Sequence, residues 1–184
     1  MLRIGELQVR EDIESPYEEL ILVGHSLGGL VLRLAKVDAV TEWENYAYEA
    51  TRRNVVLDGV LRLFSPASAG FDPTGGLGAV EAIPGLRWIL RAYLAYGSAT
   101  KDMGLTKELL AETQIRTETY GTDPELRKVL EAFILWADKE KVVKPEPYNS
   151  DRQWRTATDT DHRSVCKPHA DYQTPFTFVR TGDI

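Results

Sequence analysis

The 184-residue sequence contains a single cysteine, Cys166. An intramolecular disulfide is therefore excluded, and a lone cysteine without a partner is best interpreted as a packing residue. Because nothing in the cysteine content indicates an oxidising compartment, we expect a cytoplasmic protein. Histidine is also scarce, with three residues, and these show no metal-ligand spacing with the cysteine. We therefore expect no metal and no cofactor.

Long apolar runs and basic clusters are missing as well. No stretch reaches the roughly 18 apolar residues that span a bilayer, and residues 1–6 lack the apolar region of a signal peptide. The net charge is −6, and no Lys/Arg cluster suits a phosphate backbone. The sequence thus predicts no transmembrane segment and no nucleic-acid partner. Its balance of 43% hydrophobic and 27% charged residues is typical of one globular domain over residues 1–184.

Short apolar runs alternate with helical patterns, which predicts an α/β protein with three or four parallel strands. The strand candidates are residues 20–23, 54–64, 133–136 and, more weakly, 155–158. Apolar spacing and capping residues predict helices at 4–14, 27–37, 41–52 and 106–119, a helical stretch at 84–96, and a short helix capped by Asp123. In the helix at 27–37 the pattern leaves Arg33 and Lys36 facing solvent.

The segment Gly24-His25-Ser26-Leu27-Gly28-Gly29 joins the first predicted strand to a helix. A serine hydroxyl is a poor nucleophile until a base takes its proton and its oxygen is held clear of the backbone. At a sharp strand-to-helix turn, glycines two residues before and after the serine remove side chains that would collide. Gly24 and Gly28 occupy these places, and Gly29 would let the helix lie close to the strand.

These six residues resemble the nucleophile elbow of the α/β-hydrolase superfamily, in the form common in its lipase-like and esterase-like branches. The resemblance implies that Ser26 is the nucleophile of a serine hydrolase acting on a carboxylic ester or lipid-like small molecule. It also implies that the N–H of Leu27 is an oxyanion donor and that His25 is structural, with its side chain directed away from Ser26. The fold expected from it is a parallel sheet with a helical cap insertion at about 72–122. Within that insertion, the aromatic stretch 88–96 could line an acyl pocket, belong to the core or form an interface.

The base has two candidates, because the order serine, acid, histidine along the chain is met by His162 and by His169. Residues 161–168 read Asp-His-Arg-Ser-Val-Cys-Lys-Pro. They resemble the His-x-Ser-x-Cys-Lys-Pro segment of lipase-like hydrolases, in which the histidine is catalytic. The resemblance implies His162 as the base, with His169 as the lesser candidate.

The acid is expected directly after the third predicted strand. Residues 136–143 read Trp-Ala-Asp-Lys-Glu-Lys-Val-Val and resemble the Gly-x-x-Asp turn of the family, with alanine in place of glycine and Glu140 in place of aspartate. Glu140 is therefore the predicted acid that fixes the histidine tautomer. Asp138, two residues earlier, is the alternative if the turn is built differently.

The elbow of this fold normally follows at least four strands, whereas here it follows about 20 residues. We therefore expect a partial α/β-hydrolase domain that holds the C-terminal portion of the fold without its N-terminal strands. Strand 20–23 would then be an exposed edge and a site of self-association. The missing strands would also remove one oxyanion donor. Two alternatives to a working enzyme remain: a catalytically silent fragment or binding module, and one half of a split hydrolase.

Overall fold

The computed structural model describes residues 19–46, 54–70, 104–152 and 154–183, with only the backbone given for 46 and 104–109. The predicted helix at 4–14, the stretch at 84–96 and most of the predicted cap lie outside the described residues. The elements in chain order are β1 Ile21–His25, α1 Leu27–Tyr46, α2 Val55–Asp58, β2 Val60–Phe64, α3 Gly104–Tyr120, α4 Pro124–Leu130, β3 Ala132–Ala137, β4 Arg155–Ala157 and α5 Thr174–Thr181.

The four strands form one parallel sheet in the order β1-β2-β3-β4. Along β2, Leu61 lies opposite Leu22 of β1, and Leu63 lies opposite Ile134 of β3. Trp136 of β3 lies opposite Thr156 of β4. The predicted parallel α/β sheet is thus confirmed, including its weak fourth strand. Because parallel strands all end at the same edge, the loops that follow β1, β2 and β3 are brought together there.

Apolar side chains cover both faces of β2 and β3, as a parallel sheet requires. Leu61, Leu63 and Ile134 are fully buried on one face. On the other face, Phe64 contacts Phe178 of α5, with ring centroids 5.1 Å apart and an edge-to-face geometry. The sequence pattern did not predict α5, which nevertheless closes this side of the core with a fully buried phenylalanine.

Helix α1 runs unbroken through Thr41, so the prediction of a second helix beginning at a Thr41 capping box is wrong. The Thr41 hydroxyl donates to the carbonyl of Val37, 2.9 Å away and one turn earlier, which is compatible with a helix interior. Buried Ala39 and Val40 keep this segment packed on the core. Tertiary packing therefore decides the element, and the capping pattern is incidental.

Strand β2 begins at Val60, so the predicted strand at 54–64 is wrong in its first half. Residues Val55–Asp58 form a helical turn because the side chain of Asn54 accepts a hydrogen bond from the N–H of Val56 at 3.0 Å. By contrast, the helix predicted at 106–119 is confirmed as α3, and Asp123 caps α4 by accepting from the N–H groups of Glu125 and Leu126.

Arg33 and Lys36 are buried, each 2% exposed, so the prediction that they face solvent is wrong. The Arg33 guanidinium forms an ion pair with Asp151 at 2.6 Å and donates to Ser68 Oγ at 3.1 Å. Lys36 Nζ donates to the carbonyls of Leu57 and Val129. Helical periodicity assigned these charges to the outer face, but polar partners from later loops satisfy them inside.

Strand β1 is an edge of the described sheet, as the sequence predicts, because it pairs only with β2. Its Val23 is 48% exposed and the preceding Leu20 is 37% exposed. An apolar edge strand thus faces outward at this side of the domain. Among the described residues, no helix is both long and apolar enough to cross a bilayer.

Candidate active site

Ser26 lies between β1 and α1 with φ of 56°, a left-handed conformation that a non-glycine residue rarely adopts. Three backbone hydrogen bonds fix this turn. The Ser26 N–H donates to the carbonyl of Phe64 at 3.0 Å, and the Ser26 carbonyl accepts from the N–H groups of Gly29 and Ala67, both at 3.0 Å. The serine is therefore held in a strained turn by the loop that follows β2.

Two of the three glycines at the turn are required by close approach. A Cβ on Gly24 would lie 2.9 Å from the Cα of Gly29, and a Cβ on Gly29 would lie 2.7 Å from Pro66 Cβ. A Cβ on Gly28 would meet open space, with no atom within 4 Å. The steric reason that the sequence pattern gave for Gly28 is therefore wrong, and Gly29 is the glycine that lets the chain pass close to the next loop.

The structure brings Glu140 and His162 together, with 2.9 Å between Glu140 Oε2 and His162 Nδ1. Both side chains are only 4% exposed. The second carboxylate oxygen of Glu140 accepts from the N–H groups of Val142 at 2.8 Å and Val143 at 3.2 Å. An ionised carboxylate only accepts, so His162 donates from Nδ1, and in the neutral imidazole Nε2 carries the lone pair.

The environment of Glu140 acts on its pKa in two directions. Burial raises the pKa, but hydrogen bonds from the side chains of His162 and Ser65 and from the Val142 N–H lower it more, so the pKa lies below the ordinary value. The carboxylate is therefore ionised at neutral pH although it is buried.

The hydrogen bonds of Asp138 do not involve His162. Its two oxygens accept from the N–H groups of Asp159 and Thr160, each at 2.8 Å, and its side chain is exposed. The hydrogen bond from Asp159 is the main cause that lowers the pKa of Asp138. Asp138, the alternative acid, therefore joins the loop after β3 to the segment after β4.

His25 and His169 have different surroundings. His25 Nε2 donates to the backbone carbonyl of His162 at 2.6 Å, and the two imidazole rings lie 4.7 Å apart. Burial lowers the pKa of His25, and the nearby His162 lowers it further. His169 instead lies in an exposed turn, bridged to Tyr172 through the backbone. Because His25 is the residue before Ser26, its contact brings the His162 segment to the end of β1.

Two buried polar atoms at this edge of the sheet have no hydrogen-bond partner in the described part of the chain: Ser26 Oγ and His162 Nε2. Buried polar atoms without partners are rare and commonly mark a functional site. Leu27 is the first residue of α1, so its N–H has no acceptor within the helix. A hydroxyl, an imidazole nitrogen and the first N–H of a helix therefore lie at this edge of the sheet, but Ser26 Oγ and His162 Nε2 are not hydrogen-bonded to each other.

A groove of about 580 Å³ lies elsewhere, lined by Gly59, Val60 and Glu131 at the beginnings of β2 and β3. Its lining also includes Arg62, which stacks on the ring of Phe133 at 3.8 Å. The groove is therefore at the opposite ends of the strands from Ser26. No group of His, Cys, Asp and Glu side chains in the described ranges is arranged to hold a metal ion.

Comparison of the chain with protein-family models, with curated proteins and with solved structures finds no match.

Proposed function

We propose that the chain is a serine hydrolase of the α/β-hydrolase type, acting on a carboxylic ester or a lipid-like ester of small size. Ser26 is the nucleophile, His162 the base, Glu140 the acid that orients it, and the N–H of Leu27 an oxyanion donor. No cofactor is required for this chemistry. The proposal includes the fold family, of which the described sheet would be the C-terminal portion.

The observation that supports the proposal best is the pairing of Glu140 with His162 at 2.9 Å beside a strained serine. A carboxylate on Nδ1 leaves Nε2 as the basic nitrogen, and Nε2 is one of the two buried atoms without a partner. The other is Ser26 Oγ. These two atoms are not hydrogen-bonded to each other, so the proposal requires Ser26 Oγ and His162 Nε2 to approach when substrate binds.

The proposed reaction begins when Ser26 Oγ attacks the ester carbonyl carbon and His162 Nε2 takes the hydroxyl proton. The electron pair of the carbonyl moves onto its oxygen, which accepts from the Leu27 N–H. The ester C–O bond then breaks, the alcohol leaves with the proton from His162, and an acyl group remains on Ser26. Water repeats the sequence, releases the carboxylic acid and restores the hydroxyl. Throughout, Glu140 holds His162 and stabilises its charged form.

A fluorophosphonate probe tests this assignment, because it reacts only with an activated serine and loses fluoride in doing so. We expect one covalent label per chain, on the peptide that contains Ser26, and no label in Ser26→Ala. The matched control is Ser150→Ala, which removes another serine that is also 3% exposed. Its labelling should equal that of the unchanged protein. A label that persists in Ser26→Ala, or its absence from the unchanged protein, contradicts the proposal; the second result favours a silent fragment or binding module.

The edge position of β1 supports a second proposal, that the chain self-associates by pairing β1 with β1 of another copy. The run at 20–24 has no charge and no proline to block pairing, and Val23 is 48% exposed. Val23→Lys should shift the protein toward monomer in sedimentation, whereas Val31→Lys, on the 44% exposed Val31 of α1, should not. A monomer before substitution contradicts this proposal. Activity that appears only with a second, different chain would instead support a split hydrolase.

A further inference from the structure

Arg62 is a buried cation on the face of the sheet that α5 covers. It lies in the middle of β2, opposite Phe133 of β3, and is only 4% exposed. Its Nε and Nη1 are buried and have no hydrogen-bond partner in the described part of the chain. A guanidinium stays protonated at any ordinary pH, so burying one without partners is costly. Unpaired buried polar groups are rare in folded proteins, and an ion or a ligand is one of the partners that completes them.

Neighbouring residues hold this guanidinium in place. Arg62 Cζ lies over the ring of Phe133, 3.8 Å from its centroid. At the end of α5, a Cβ on Gly182 would lie 3.0 Å from Arg62 Cζ and 2.8 Å from Phe133 Cδ1, so the chain passes close to both side chains. An aromatic ring thus occupies one face of the guanidinium. Its N–H groups lie in the plane of the group and are left to bind an acceptor.

The guanidinium lies at the groove of about 580 Å³ at the beginnings of β2 and β3. The residues that line this groove include Arg62 itself, Phe133, Arg152 and Thr181. Phe133 contacts the guanidinium and Thr181 precedes Gly182, so the groove reaches the side chain of Arg62. Small-molecule sites in proteins have volumes of roughly 300–1,000 Å³, and this groove is within that range.

Four basic side chains line the groove: Lys36, Arg62, Lys128 and Arg152. Lys128 and Arg152 are each paired with a glutamate of the same groove, at 3.3 Å and 2.8 Å. Lys36 donates to two backbone carbonyls. Two further acidic residues, Glu19 and Asp58, line the groove, but neither accepts from Nε or Nη1 of Arg62. Within the described residues, Arg62 is therefore the basic group of this groove whose buried nitrogens lack an acceptor.

Arg152 places a second guanidinium at the same ring. Its Cζ lies 4.6 Å from the centroid of Phe133, and its Nε is paired with Glu131. Burial lowers the pKa of Arg62; Glu19 and Asp183 act to raise it, and Arg152 lowers it further. The two arginines are thus close enough to repel each other. An anion at Arg62 would offset this repulsion and satisfy the unpaired N–H groups.

We propose that this groove binds the oxyanion of a small molecule, a carboxylate or a phosphate group, with Arg62 as the buried donor and Arg152 as a second cation beside it. Carboxylates and phosphates accept charge-assisted hydrogen bonds from guanidinium groups, and these bonds are stronger than neutral ones. The site lies at the ends of the strands opposite to Ser26 and uses none of the residues of the proposed reaction. The inference is therefore independent of the proposed function.

Titration with inorganic phosphate and, separately, with sodium acetate tests the site, followed through the NMR signals of the arginine Nε–H groups. We expect the Arg62 signal, assigned by its loss in Arg62→Lys, to shift saturably with at least one of the two anions. Sodium chloride at the same ionic strength should not reproduce the shift. Tighter binding of phosphate would identify a phosphate ligand, and tighter binding of acetate a carboxylate ligand. No saturable shift with either anion, or an equal shift with chloride, would overturn the proposal.

Variants of the two arginines test their roles, with affinities measured by isothermal titration calorimetry. Arg62→Met removes the buried charge and should weaken binding of the preferred anion by about 10- to 100-fold. Arg152→Gln leaves Arg62 in place and should weaken it by a smaller factor, about 3- to 10-fold. The matched control is Arg180→Met, which removes an exposed arginine of α5 that does not line the groove. Its affinity should equal that of the unchanged protein.

If Arg62→Met binds both anions as tightly as the unchanged protein, the inference is wrong. If Arg62→Met does not fold, an unchanged affinity in Arg152→Gln overturns the proposal, because that substitution changes only a partly exposed side chain beside the ring.

Discussion

The described residues include two buried pairs of an acidic and a basic side chain, whose members lie 118 and 22 residues apart in the sequence. The side chains of Arg33 and Asp151 are each 1% exposed, with their nearest charged atoms 2.6 Å apart, and the side chains of Glu140 and His162 are each 4% exposed, with Oε2 and Nδ1 2.9 Å apart. Both pairs also leave atoms without partners: Arg33 Nη1 and Asp151 Oδ1 in the first, and His162 Nε2 in the second. By burial and geometry alone, the pairs are alike.

They differ in what the unpaired atom can do. A guanidinium keeps its protons at any ordinary pH, so Arg33 can hold structure but cannot act as a base. The Arg33 guanidinium also lies over the ring of Tyr148, 4.3 Å from its centroid, and burial raises the pKa of Tyr148 to about 12. Both observations are consistent with a packing role for Arg33. Neutral imidazole, by contrast, accepts a proton at Nε2. Burial of an acidic and a basic side chain together therefore indicates a candidate site only when one of the two can exchange a proton near a hydroxyl such as that of Ser26.

The largest expected effect is on turnover, from the acid of the second pair. Glu140→Gln should lower kcat for a p-nitrophenyl ester by about 10³- to 10⁴-fold, because the amide no longer holds the imidazole in the required tautomer. Asp138→Asn is the matched control, since Asp138 holds only the turn through Asp159 and Thr160. It should change kcat by less than about tenfold. The reverse ranking would transfer the acid's role to Asp138.

The second largest expected effect is a loss of stability when the Arg33–Asp151 ion pair is broken. Asp151→Ala should lower the free energy of unfolding by about 3–5 kcal/mol, because Arg33 is left buried with an uncompensated charge. Replacing both partners, with Arg33→Met and Asp151→Leu, should cost much less. Urea denaturation measures both. If the single substitution costs no more than the double, the pair does not contribute in the way its burial suggests.

These two pairs also show which features the sequence could reveal. The strand-to-helix turn at Ser26 and the pairing of the Glu140 and His162 segments were predictable because local patterns of a few residues mark them. The burial of Arg33 was not, because it depends on Asp151 and Ser68, which approach only in the folded chain. Periodicity predicts which face a residue occupies, but not what later packs there.

The third largest expected effect concerns His25, whose Nε2 donates a hydrogen bond to the backbone carbonyl of His162. His25→Leu should lower kcat by about tenfold, because the segment that carries His162 loses a partly buried hydrogen bond near Ser26. His25→Gln keeps a donor at similar reach and should retain most of the activity. Steady-state kinetics on both variants test this. Equal kcat in His25→Leu and the unchanged protein would show that His25 only fills space.

The smallest effect is the pH dependence of stability through the same residue. The pKa of His25 is lowered from 6.5 in the fold, chiefly by burial and then by His162. The unfolded chain therefore binds a proton first as the pH falls. The contribution of His25 to the free energy of unfolding is complete above pH 6.5 and is lost as the pH falls through the lower pKa of the folded protein.

The free energy of unfolding, measured by urea denaturation between about pH 7.5 and pH 5, should thus change less with pH for His25→Gln than for the unchanged protein. Identical slopes for the two proteins would mean that burial does not disfavour the charged form of His25.

The most direct test of the central claim is to trap the acetyl group that the proposed reaction places on Ser26. The protein is mixed with p-nitrophenyl acetate, quenched in acid during turnover and mapped by peptide mass spectrometry. We predict one acetyl group on Ser26 and none on any other residue, with more of it retained when Glu140→Gln slows its hydrolysis. Turnover with no acetyl group on Ser26, or an acetyl group that persists elsewhere in Ser26→Ala, would contradict the account.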